Sequence, residues 1–116
     1  YLMYAEAVLR GGTGGDIPTA VGYVNQIRTR AGATAVTATD LTLDFILAER
    51  GRELFWECHR RTDLVRFDKF TGSSKIWQWK GGVKNGTSTE SYRNLMQIPS
   101  RAIQANTTLK KNPGYN

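Results

Sequence analysis

The stretch LDFILAERGRELFWECHRRTDLVRFDKF, residues Leu43 to Phe70, decides how this chain folds. Apolar side chains recur in it at spacings of three, four and seven residues, which is the spacing that places side chains on one face of an α-helix. We expect that face to pack into the protein core. It consists of Leu43, Ile46, Leu47, Leu54, Phe55 and Cys58.

The same stretch carries acidic and basic residues at distances that allow pairing along a helix and its continuation. Glu49 and Glu53 lie one turn apart, a spacing that two catalytic carboxylates could use. However, arginines stand within a few positions of both, and arginine keeps a carboxylate ionised, whereas a general acid must carry a proton. We therefore predict a structural ion network. Its members are Glu49, Arg50, Glu53, Arg60, Asp63 and Arg66.

Other catalytic or metal chemistry is hard to build from these residues. His59 is the only histidine and Cys58 the only cysteine, so this chain alone supplies no histidine-based triad and no cysteine-rich metal site. Adjacent residues on a helix point in different directions, which also makes these two a poor thiolate–imidazole pair. We expect Cys58 to be a small buried apolar residue. No catalytic residue, metal ion or cofactor is predicted.

Upstream of Leu43 the sequence predicts a helical hairpin. One helix is expected over residues 1–10, a run of glycines ends it, and a second helix is expected from Ile17 to Ala31. Asp16 should cap the second helix, and Thr42 or Asp40 the third. The glycine run lacks the pattern of a phosphate-binding loop, so we do not expect it to bind phosphate. Hairpins with long loops predict an all-α, tetratricopeptide-like fold.

The sequence changes character after a helical part, 1–70, and becomes a loop-rich basic tail over 71–116. Residues 69–116 contain eight Lys or Arg and one Glu, whereas residues 1–68 contain eight Lys or Arg and nine Asp or Glu. Such a tail could contact phosphates, acidic lipids or an acidic partner, or could cover an acidic surface of a longer chain. Within it we expect a short helix, Ser100–Ala105, capped by Ser100.

Two tryptophans in the tail, Trp77 and Trp79, are the candidate ligand-binding residues. In an extended segment, residues two apart share a face, so both indoles could form a platform for sugars or bases. Lys75 and Lys80 would then bind hydroxyls or phosphates. The alternative, which we favour, is that both rings pack back onto the helices and fix a long loop.

Four motifs, in order along the chain, resemble those of the SusD/RagB family of glycan-binding lipoproteins. The family signature, roughly ILxERxRELxxEGxRxxDLxRxxx, appears here from Ile46 to Arg66. Cys58 stands where the family often has Gly, and Gln97 replaces a common Pro, which affects only local backbone fit. The other three motifs are a YxxAE-like helix at 1–7, an Ile-Pro-Ser turn at 97–100 and Asn-Pro-Gly-Tyr at 112–115.

The resemblance implies an all-helical, non-enzymatic protein of the bacterial outer-membrane surface that binds starch or related oligosaccharides for a SusC-like TonB-dependent transporter. It implies no nucleic-acid partner, and contact with the membrane only through an N-terminal lipid anchor absent from this chain. Residues 1–116 would form the C-terminal part of a longer domain, because family members are far longer than this chain and the first residues read as a helix already under way. The glycan-binding aromatics of the family lie mostly upstream, so no binding residue is carried over.

A second reading belongs to a different functional class. The chain could be a helical-repeat interaction module whose basic C-terminal end docks an acidic protein or a nucleic acid.

Overall fold

The computed structural model describes residues 1–115, and all regular structure in that range is helical, which confirms the predicted all-α class. The chain divides into a first unit, Tyr1–Asp63, and a second unit, Leu64–Asn116. Two short 3-10 turns lie in the second unit, at Lys80–Gly82 and Ser91–Asn94. The helices are α1 (Leu2–Leu9), α2 (Ile17–Arg30), α3 (Leu43–Glu53), α4 (Arg60–Arg66) and α5 (Ser100–Ala105).

The predicted caps position α2 and α3. The Asp16 carboxylate accepts hydrogen bonds from the backbone N–H and the hydroxyl of Thr19, both at 2.8 Å, and the backbone bond is the main reason why the pKa of Asp16 is lowered. Thr42 Oγ1 accepts from the backbone N–H of Phe45 at 3.1 Å, so Thr42 caps α3. These bonds satisfy N–H groups that would otherwise lack partners at each helix start.

The core of the first unit forms where α1 packs against α2 and α3. Tyr23 of α2 holds the hairpin from the side, because its ring stacks on Tyr1 at a centroid distance of 4.6 Å and meets the Tyr4 ring edge-on at 5.0 Å. The predicted pairing of the first two helices is therefore confirmed. The buried apolar residues of the three helices are Leu2, Ala5, Ala20, Val24, Ile46 and Leu47.

The prediction that the apolar face of α3 continues through Phe55 and Cys58 is wrong. The helix ends at Glu53, and the Phe55 side chain is 72% exposed. Cys58 is also exposed rather than buried. The reason is a turn in which the Glu57 N–H donates to the Leu54 carbonyl and Trp56 has a left-handed φ of 68°. Cys58, just after that turn, has a left-handed φ of 61°, so helical periodicity ends here.

The second unit is mostly irregular, with Leu64 and Phe67 buried at its start. Its C-terminal turn is held by the Tyr115 hydroxyl, which donates to the Leu95 carbonyl at 2.8 Å. The helix α5 forms where it was predicted, but Ser100 is its first helical residue and makes no capping bond, because Pro99 occupies the N-cap position. Over residues 1–115, none of the helices has the length and apolar character needed to span a bilayer.

Candidate functional site

The most buried ion pair of the first unit joins α3 to the start of α4. Arg50 Nε donates to Asp63 Oδ2 at 2.8 Å, and the two side chains are only 10% and 3% exposed. Arg60 lies nearby in sequence but donates its Nη1 to the Leu47 carbonyl, at 2.7 Å, in place of a carboxylate. Gly51 leaves room for this guanidinium, because an added Cβ would lie 2.8 Å from Arg60 Nη1.

The two glutamates of the signature pair mainly across helices. Glu49 accepts from Arg28 of α2 at 3.0 Å and also from Arg52, three residues further along α3. Glu53 accepts from Arg30 of α2 through both carboxylate oxygens. The sequence pointed to partners within the Leu43–Phe70 stretch and therefore missed both α2 arginines, Arg28 and Arg30, which lie 21 and 23 positions before their glutamates.

Arg66, the last member of the predicted network, belongs to the second unit. Its guanidinium lies 5.3 Å from the centroid of the neighbouring Phe67 ring, a cation–π distance. Among residues 1–115, no group of three or more His, Cys, Asp or Glu side chains is placed to hold a metal ion.

A mainly apolar cavity of about 570 Å³ lies in the first unit. Leu2, Ile27 and Leu54 line it, together with Arg50 and Glu53 of the signature. The two charged side chains are already engaged by Asp63 and Arg30. Gln26, Arg30 and His59 also line it, but its wall is mainly apolar, so this cavity is the weaker candidate for a polar ligand.

The second unit contains a smaller cavity of about 360 Å³, which we call the tryptophan cleft. It lies within the range of about 300–1,000 Å³ that is typical of small-molecule sites, and it combines an indole with hydroxyls and a charged pair. Trp77 lines the cleft, whereas Trp79 is absent from its wall. The residues that characterise the cleft are Trp77, Lys80, Thr87, Ser88, Glu90 and Arg93.

Lys80 fixes the base of the tryptophan cleft. Its side chain is buried, with 3% of the residue exposed, and its Nζ donates to the carbonyls of Gly72 and Lys75 at 2.8 and 2.6 Å. The same ammonium lies 4.7 Å from the centroid of the Trp77 ring, and burial lowers the pKa of Lys80. The expectation that Lys80 would bind ligand phosphates or hydroxyls is therefore wrong, because its charge is held by backbone oxygens.

The structure places Trp77 and Trp79 in neither of the two arrangements that the sequence suggested, an extended platform or rings packed onto the helices. The segment is not extended, because Trp79 has φ 67° and ψ 5°, so the argument that residues two apart share a face does not apply. Nor are the rings buried against helices, since Trp77 is 37% and Trp79 64% exposed. The favoured alternative, that both rings pack back onto the helices, therefore does not hold among residues 1–115, where all three tryptophans of the chain are accessible.

An ion pair lies at the edge of the cleft. Arg93 Nε donates to Glu90 Oε2 at 2.7 Å, and both side chains are at least half exposed. The hydrogen bond from Arg93 lowers the pKa of the Glu90 carboxyl and raises that of the Arg93 guanidinium. Both groups remain ionised at neutral pH, and their exposed edges can exchange hydrogen bonds with hydroxyl groups of a ligand.

Three comparisons place these features among known proteins. The sequence model of the SusD family, SusD_RagB, matches residues 1–115. The chain is 44% identical over 115 residues to the starch-binding protein SusD of Bacteroides thetaiotaomicron. This match covers 99% of the present chain and 20% of that protein. The present chain also matches a crystal structure of a SusD superfamily protein from Bacteroides vulgatus, with a TM-score of 0.72 and 31% sequence identity. The match covers all of the present chain and 26% of the chain in that crystal structure.

The structural match also confirms the predicted helical, tetratricopeptide-like fold. The chain spans about a fifth of the length of the curated relative that it matches.

Proposed function

The chain belongs to the SusD family, and from that premise we propose that it is the C-terminal part of a non-catalytic protein that binds starch or related oligosaccharides. The observation that carries the proposal is the 44% identity to a starch-binding protein over 99% of this chain. The tryptophan cleft adds support, because it provides an accessible indole beside hydroxyl and charged hydrogen-bonding groups. Within this chain, Trp77 and Trp79 are the proposed ligand contacts.

The proposed setting of the whole protein is the bacterial outer-membrane surface. There it would be held by an N-terminal lipid anchor and would deliver bound glycan to a SusC-like TonB-dependent transporter. The signature residues Glu49, Arg50, Glu53, Arg60, Asp63 and Arg66 are proposed to act as scaffold rather than as a site. Support for that role comes from their contacts, since buried charges with partners hold elements together and leave few groups for a ligand.

The experiment that tests this proposal measures binding and cleavage together. The whole protein should bind a linear α-glucan such as maltoheptaose by titration calorimetry and should move more slowly through a gel that contains soluble starch. A reducing-end assay over hours should detect no new chain ends. Release of reducing ends, or absence of any glucan binding, would overturn the proposal.

The alternative function, docking of the basic end onto an acidic protein or nucleic acid, is supported by the excess of Lys and Arg after residue 68. Some of these cations have internal partners: Lys80 binds backbone carbonyls and Arg93 binds Glu90. Salt dependence separates the two functions: phosphate contacts weaken steeply as ionic strength rises, whereas stacking on sugars does not. Binding that stays constant between low and physiological salt favours the glycan.

A further inference from the structure

Trp79 occupies a backbone position that suits glycine. The Lys80 N–H donates to the Trp77 carbonyl at 3.1 Å, so residues 77–80 form a β-turn with Trp79 at its third position. The φ of 67° and ψ of 5° at Trp79 match the third position of a type II turn, which normally requires Gly. A bulky side chain is strained in this left-handed region.

Burial does not compensate for this strain within the described residues. The Trp79 side chain is 64% exposed, so it gains little from packing. Strained backbone positions persist where a site needs them, and ligand-binding sites are a common setting. The turn places an indole in solvent two residues from Trp77, whose ring lines the tryptophan cleft.

We propose that Trp79 is a ligand contact, and that Trp77 and Trp79 together bind adjoining units of an uncharged glycan. This inference rests on the proposed glycan-binding function and assigns it a subsite in the second unit. Trp77 is the fixed wall of that subsite, because the Lys80 ammonium lies 4.7 Å from its ring centroid and is itself held by two carbonyls. Trp79 is not part of the cleft wall, but its chain neighbours Trp77 and Lys80 are.

The charged residues that line the cleft favour a neutral ligand. Arg93 is paired with Glu90 at 2.7 Å, and the buried ammonium of Lys80 is held by the carbonyls of Gly72 and Lys75. A glycan that carries carboxylates would meet Glu90 and would compete with existing partners for both cations. The hydroxyls of a neutral hexose can instead donate to Glu90 and accept from Arg93 without displacing either partner.

The test uses the whole protein with two variants at Trp79, W79A and W79G. Both remove the indole, so both should weaken the affinity for maltoheptaose by about tenfold in titration calorimetry. Only glycine relieves the left-handed backbone, so W79G should have a higher thermal midpoint than W79A. If Trp79 had only a structural role, its replacement would not lower the affinity for maltoheptaose while W79G kept a higher thermal midpoint than W79A.

Trp56 provides a matched control in the first unit. It also has a positive φ, 68°, and is 89% exposed, but it lies in the first unit, in a turn next to Phe55, and none of its chain neighbours lines the tryptophan cleft. W56G should therefore also exceed W56A in thermal midpoint, while the affinity of both variants for maltoheptaose stays at the wild-type value.

The outcomes separate this inference from the function on which it rests. If the wild-type protein fails to bind maltoheptaose, the proposed function is wrong. If the wild type binds but W79A binds equally well, the function stands and the subsite is wrong. A marked fall in the thermal midpoint of both Trp79 variants would mean that the ring is packed in the whole protein, and would also overturn the subsite. Polygalacturonate bound as tightly as maltoheptaose would overturn the assignment of a neutral ligand.

Discussion

The two units differ in where they place their ion pairs. In the first unit, Glu49, Arg50 and Asp63 are buried and paired, and the helices meet through those pairs. In the second unit, two tryptophans are accessible, and the Glu90–Arg93 pair lies at the surface. A buried pair that already has its partners offers little to a ligand, whereas an exposed ring with hydroxyls nearby offers a surface for one. This contrast supports the proposal that the signature residues act as a scaffold.

Lys80 qualifies this contrast, because the second unit also buries a charge. Its partners are two backbone carbonyls and an aromatic ring. Carbonyl oxygens are partial charges, so they offset the cost of burying an ammonium less well than a carboxylate does. The first unit therefore joins helices through pairs of oppositely charged side chains, whereas the second unit fixes a loop through one ammonium group bound to backbone carbonyls.

The largest effect is expected from a variant that removes a buried ion pair of the first unit. Arg50→Ala leaves Asp63 as a buried charge without this partner, and we expect a loss of about 3 kcal/mol in the free energy of unfolding, measured by urea titration. The control is Arg52→Ala, whose side chain is 57% exposed and whose removal should cost at most about 1 kcal/mol. If both variants lose the same free energy of unfolding, burial of the ion pair does not increase its contribution to stability.

A second variant tests whether the loops of the second unit are as fixed as the helices of the first. Gly86 has φ 75°, and an added Cβ would overlap with the backbone carbonyl oxygen of Trp77. We expect Gly86→Ala to cost about 2 kcal/mol, because both backbone strain and this overlap must be relieved.

Gly72→Ala is the matched control for the Gly86 variant. Gly72 has φ 65°, but a Cβ there meets no atom within 4 Å, so only the backbone strain applies, about 1 kcal/mol. The difference between the two urea midpoints isolates the close approach of residues 77 and 86. A vanishing difference would mean that the loop shifts freely, and that Trp77 is not a fixed wall.

Sequence reasoning succeeded where local rules decide the structure. The ends of α2 and the Thr42 cap follow from capping and periodicity, which depend on residues a few positions apart. It failed where distant atoms decide: Arg28 and Arg30 reach α3 across the hairpin, and Lys80 is buried by carbonyls that no side-chain pattern reveals. It also extended helical periodicity through Phe55, because the left-handed turn that ends α3 has no glycine to signal it.

A smaller effect is expected when the helix starts of the two units are compared. Thr42→Ala removes the hydroxyl that accepts from the Phe45 N–H, and should lower the free energy of unfolding by about 1 kcal/mol. Ser100→Ala should leave it unchanged, because the Ser100 hydroxyl makes no capping bond at the start of α5. Urea titration of both variants measures the difference. A loss at Ser100 as large as that at Thr42 would contradict this assignment of the caps.

The most subtle prediction concerns pH and the buried cation of the second unit. Burial lowers the pKa of Lys80 in the folded state below its ordinary value of 10.5, so between these two pKa values the unfolded chain binds more protons than the folded one. The free energy of unfolding should therefore rise with pH through that window, as the cost of burying the charge disappears. Lys80→Met removes the titrating group, and the wild type should accordingly gain stability relative to this variant as alkaline pH is approached. A difference that falls with pH would mean that the carbonyls and the Trp77 ring favour the charged form more than burial opposes it.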